Sequence, residues 1–117
     1  MTGIPSQIDL LGHALRFAQQ AHGVISQNIA NVNTPGFMTK ELSFDQFLEA
    51  VQTHNSDSSP PDDFQVEMAK GLVPRADGNN VDLDQEVANL KKNGLMYQAF
   101  SQLLAAKMDT MRRAIRG

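Results

Sequence analysis

The sequence predicts a mainly α protein in which long N- and C-terminal helices pack as an antiparallel coiled-coil hairpin around a short, mostly irregular middle with minor β content. Three observations carry this. Both ends space apolar residues at alternating steps of three and four, the pattern of a helix seam. The stretch between them is broken up by Pro, Gly, Ser, Asp and Asn. And 117 residues make one domain, with too little chain left for further covering helices. The chain divides into residues 1–36 (first helix and the turn that ends it), 37–81 (short helix, flexible loop, minor extended segment) and 82–117 (last helix).

The first helix is expected from about Ser6 to about Asn31. Pro5 fits just ahead of it, and Ser6 with Asp9 has capping spacing. Its row runs Ile8, Leu11, Leu15, Ala18, His22, Ile25, Ile29, Val32, with His22 reading as a hydrogen-bonding core residue. Asn33-Thr34-Pro35-Gly36 ends it, because Pro35 pushes Thr34 out of helical geometry and Gly36 permits a tight turn. A short second helix fits Ser43 to Val51, capped by Ser43 and Gln46, with Phe44, Phe47, Leu48 and Val51 on one face. Residues 52–63 read as an exposed loop, Phe64 to Met68 as a weak strand, and Asp77-Gly78-Asn79-Asn80 as a turn. Asp82 and Gln85 cap the last helix. Its seam is Leu83, Val87, Leu90, Gly94, Tyr97, Ser101, Leu104, Met108, Met111 and Ile115, with Phe100 beside it, and Arg112, Arg113 and Arg116 close it where the helix dipole favours cations.

Charge excludes several classes. The net charge is −3, which is not the footprint of a nucleic-acid binder. Without cysteine there is no disulfide framework, thiolate metal site or thiol nucleophile. No apolar run approaches membrane-spanning length, and with no Lys or Arg before Arg16 no cleavable secretory signal is read. Asp9 and His13 share a helix face but have no second pair to complete a metal site. Ser26, Ser43 and Ser101 lack a nucleophile's surroundings, and no phosphate loop occurs. Neither an enzyme nor a cofactor is expected.

The distribution of charge is more telling than its sum. No Asp, Glu, Lys or Arg occurs from Phe17 to Thr39, or from Gly94 to Ala106. A two-helix hairpin alone in water needs a charged outer face on each helix, and one partner helix covers only part of a circumference. Ile8, Leu11, Leu15, Ile25, Ile29, Leu90, Tyr97, Phe100, Leu104, Met108 and Met111 are therefore the expected assembly seam. A helical chaperone or adaptor would keep a charged surface, and a core helix of a larger domain would need covering that this chain lacks. Residues 41–86 hold eleven of the thirteen acids and only Lys70 and Arg75 as bases, as in a solvated middle segment.

Asn28-Ile29-Ala30-Asn31-Val32-Asn33-Thr34-Pro35-Gly36-Phe37 resembles the signature of the flagellar axial proteins, the rod, hook and hook-associated subunits. The run from Asp77 to Glu86, with Asn93, Tyr97-Gln98-Ala99 and Leu103-Leu104, most resembles the proximal rod members, a sister rod subunit being the nearest rival. Phe37 stands where Tyr is usual, Gln27 where a smaller residue often sits, and the middle is short. The resemblance implies a structural subunit of the periplasmic rod in the basal body, exported unfolded through the flagellar type III apparatus without a cleaved signal. It would pack against copies of itself, other rod proteins and the membrane-ring junction proteins, form a tube around the export channel and transmit torque. It implies no contact with nucleic acid and no membrane span. Phe44 to Leu48 fits the family's Phe-x-x-x-hydrophobic export element and equally fits the anchors of a small amphipathic helix.

Overall fold

The computed structural model describes residues 4–52 and 64–117. Helix α1 runs Ile4–Ala30, strand β1 Lys40–Leu42, helix α2 Phe44–Gln52, strand β2 Val66–Met68 and helix α3 Leu83–Arg116. The expected loop 52–63 lies, apart from Gln52, outside the described residues.

The start of α1 corrects the sequence reading. The helix begins at Ile4, so Ser6 lies inside it and is not its cap. Pro5 occupies the first turn, where a missing N–H is harmless and its fixed φ already suits the helix. At the other end α1 stops as expected: residues 31–36 form turns, and Gly36 takes φ +76°.

The cap of α3 is also as expected, with Asp82 in extended geometry accepting from the Gln85 N–H at 3.2 Å. Ser43 Oγ accepts from the Gln46 N–H at 3.3 Å to start α2. The reciprocal half of that box is diverted, because Gln46 Oε1 takes the Gln65 N–H while the Ser43 N–H goes to Gln65 O at 3.0 Å. A two-stranded antiparallel ribbon results, with Lys40, Glu41 and Leu42 opposite Met68, Glu67 and Val66. The first of these strands was not anticipated: Lys40-Glu41-Leu42 is too short to show a period of two.

Helices α1 and α3 are antiparallel. Asn28 near the end of α1 meets Glu86 near the start of α3, and further along the Asn93 amide donates to Ala18 O at 2.7 Å. The whole measures 64 × 27 × 18 Å, a rod rather than a ball. Carried outward at ~1.5 Å per residue, this pairing sets Ile4 opposite residues around 108, and the last two turns of α3 run past α1. The middle packs on one side of α1 through Phe17, Phe47 and Phe64, whose ring centroids lie 5.0 to 5.9 Å apart in tilted or edge-on contacts. Gln20 pins this cluster by bonding both Phe64 N (2.8 Å) and Phe64 O (2.7 Å). No helix among the described residues is long and apolar enough to cross a membrane.

Candidate assembly site

The signature turn and the Asp77–Asn80 turn are two halves of one clasp. Asn79 is fully buried, and its amide donates to Asn31 O at 2.9 Å and Thr34 O at 2.8 Å, a second bond for two carbonyls of the turn that ends α1. Its Oδ1 accepts from Val81 N–H at 2.8 Å. Asn80 Oδ1 takes the Thr39 N–H, Gly36 N–H goes to Asp77 O at 2.9 Å, and Asn80 N–H to Phe37 O at 3.2 Å. Arg75 donates to Val32 O and to Val81 O, tying both turns from outside. Gly78 takes φ +87°, and a Cβ there would lie 3.3 Å from Gly36 Cα, so the two glycines allow the turns to touch. Asn31 and Thr34 are spent internally: Thr34 Oγ1 donates to Asn31 Oδ1 and Asn31 Nδ2 to Gln27 O. Asn33 and Pro35 are exposed, and Phe37 is half-buried beneath the Lys40 ammonium, 5.8 Å from the ring centroid.

Asn28, 1% exposed, joins three elements. It exchanges bonds with both Lys40 O (2.8 Å) and Lys40 N (3.1 Å), and donates to Glu86 Oε2 at 3.0 Å. Burial pushes the Glu86 carboxyl above the usual carboxylate range. The Asn28 bond opposes that shift, and the neighbouring Asp82 and Glu41 carboxylates add to it. Beside Glu86 a cavity of about 180 Å³ reaches Thr39, Leu42, Ala69 and Asn89.

The expected seam residues differ in how far the single chain covers them. Ile8, Leu11, Leu15, Ile25 and Ile29 on α1 and Leu90, Phe100, Leu104 and Met111 on α3 are half-buried, while Tyr97 and Met108 are exposed. Among the described residues, those buried on the two helices are mostly small or polar: His13, Ala14, Ala18, Asn28, Glu86 and Asn93, with Val24 the branched exception. Further apolar side chains face outward on α3, including Leu95, 68% exposed, and Leu103. His22 is corrected. It is exposed and lines a groove of about 370 Å³ with Gln19, Gly94, Tyr97 and Gln98. Of the two residues that fit the export pattern, Leu48 is exposed, and Phe44 opens α2 with its side chain outside those described.

His13 is buried, its Nδ1 3.3 Å from the Arg16 guanidinium. Among the described residues no three His, Asp or Glu side chains gather as metal ligands. The clasp function of Asn79, Asn80 and Arg75 was missed from sequence. The available signal was two adjacent Asn in a turn ahead of a helix cap, a pattern that solvated turns share.

Residues 8–37, from the first seam residue through the signature turn, match the family described as flagella basal body rod protein. Over nearly its whole length the chain is similar to relatives named flagellar basal body rod protein FlgB. Identity is 30% to that of Bacillus subtilis (strain 168), over 94% of this chain and 93% of the relative. It is 30% to that of Yersinia enterocolitica, over 89% and 94%, and 27% to that of Salmonella typhimurium, over 94% and 98%.

Proposed function

The chain belongs to the FlgB-type flagellar basal body rod proteins, and from that premise we propose that it builds the proximal rod by packing its terminal helices against those of neighbouring subunits. It is a structural protein of the basal body. In the proposed arrangement the helices surround the export channel and pass torque along the rod. The neighbours are copies of this chain, other rod proteins and the proteins of the membrane-ring junction. The chain arrives unfolded through the type III export apparatus.

One observation carries the reading. From Gly94 to Ala106 helix α3 has no charged residue, yet α1 covers only one side of it. Leu95, Leu103, Met108 and Ile115 are 47% to 81% exposed. Covering such side chains stabilises by roughly 1–2 kcal/mol each, which across several residues offsets the entropy of holding subunits together. The uncharged Gln19, Gln98 and Gln102 can bond across helices without the desolvation cost of ions.

The test is Leu104→Asp in motile cells carrying this protein. The expected result is export of the variant, no incorporation into purified basal bodies and no motility. Normal basal bodies and swimming with that change overturn the reading.

A further inference from the structure

The hairpin is chemically polar along its length. Beyond the reach of α1, the end of α3 presents Arg112, Arg116 and the 81% exposed Ile115, with Met108 one turn back. Arg113 is engaged by Asp109 at 2.9 Å. At the other half of the molecule the ribbon sets Glu41 directly opposite Glu67, both exposed. Like charges facing each other across a strand pair are unfavourable. Neither has an ion pair among the described residues. The exposed acids Asp82 and Asp84 belong to the same half, as do the exposed apolar residues Val66, Met68 and Leu83.

We infer that the basic, apolar end of α3 from a second copy of this chain docks on the acidic flank formed by Glu41, Glu67, Asp82 and Asp84. The contact rests on the rod-subunit reading above and names one of its interfaces. Two features point to this occupant. The ribbon retains a repulsive glutamate pair that an incoming cation relieves, and among the described residues a basic surface of matching design, Arg112 and Arg116 around exposed Ile115, lies at the opposite end of the same molecule. Arg is suited to the task because its planar fork can bridge two carboxylates. Because different patches meet, the contact is heterologous: it repeats from subunit to subunit and winds into an open or ring-like array rather than stopping at a pair.

Sedimentation of the full chain at low and high salt tests this. The parent associates at low salt and dissociates as salt screens the exposed charges. Arg112→Glu with Arg116→Glu, or Glu41→Lys with Glu67→Lys, each weakens self-association by about tenfold or more. Mixing the two reversed chains, or combining all four changes in one chain, restores it. Arg112→Gln with Arg116→Gln removes charge without reversing it and weakens association less, but still measurably. A parent that stays monomeric at low salt overturns the inference. So do reversed chains that associate like the parent, and a four-fold variant that remains weak. Circular dichroism confirms that each variant is helical, all four positions being exposed. The rod reading stands or falls separately: charge variants without effect, beside a Leu104→Asp chain excluded from basal bodies, remove this contact and leave the rod subunit intact.

Discussion

The two halves of the hairpin hold themselves together by opposite means. Where the chain reverses, most of the deeply buried side chains are polar: Asn28, Thr39, Asn79, Asn80 and Glu86 are each 5% exposed or less, with Val81 among them. Toward the free ends the side chains are apolar and wet, with Leu103 half-exposed and Ile115 81% exposed. An apolar core is indifferent to the direction of its contacts, whereas an amide with three partners fits one geometry only. The clasp half is thus specified from within a single chain, and the open half keeps apolar faces that the chain itself does not cover. A rod subunit needs both: a fixed angle between its helices, and helix faces left over for others.

The largest effect on the folded chain is expected at Asn79. Replacing it with Ala orphans the Val81 N–H and removes the second hydrogen bonds of Asn31 O and Thr34 O, which keep their turn bonds from Thr34 N–H and Phe37 N–H. The orphaned N–H costs about 1–3 kcal/mol and each of the two lost amide–carbonyl bonds up to about 1 kcal/mol, for an expected destabilisation of about 3 kcal/mol. Urea unfolding followed by circular dichroism measures it. A loss below ~1 kcal/mol would show that the clasp does not hold the hairpin. Gly78→Val comes next. It forces a branched side chain into φ +87° and against Gly36 Cα, for an expected loss of about 2 kcal/mol in the same assay.

The open half should respond the other way. Leu103→Ala deletes more apolar volume than Asn79→Ala deletes polar volume, yet Leu103 is 50% exposed in the single chain. Its effect on monomer unfolding is expected to be about 1 kcal/mol or less. Its effect on incorporation into basal bodies, read by competition with the parent chain, should be plainly visible. The contrast fails if Leu103→Ala destabilises the monomer as much as Asn79→Ala does.

How much of this was legible in the sequence follows the same division. Both long helices were readable because the three-four spacing persists over many turns, and the Asp82 cap because Asp ahead of an apolar row has one common use. The incomplete covering of α3 was readable from the absence of charge between Gly94 and Ala106. The clasp was not, because its partners are 41 to 58 residues apart and each half alone looks like an ordinary turn. The start of α1 was misplaced because Ser6 imitates a cap, while Pro5 serves equally well inside the first turn. His22 was misjudged because seam spacing says which face a residue is on and not whether another helix reaches it.

The finest probe of the comparison is Glu86, where a charge sits inside the polar half. Its carboxyl is raised by burial, so the folded chain holds a proton there more readily than the unfolded chain does. Stability from this group is therefore fully present below the ordinary carboxylate range and is lost as pH rises through the folded value. Glu86→Gln removes the charge but keeps an oxygen to accept from Asn28. The new amide N–H has an acceptor within the same cavity in Thr39 Oγ1, which is buried and without a hydrogen-bond partner among the described residues. The variant should be more stable than the parent at pH 7, by less than any loss above, with the advantage shrinking as pH falls through the carboxylate range. Thermal unfolding of both chains across that range measures the difference. An advantage that grows toward acid pH would mean that the ionised carboxylate, and not the shape of the clasp, holds α1 to α3.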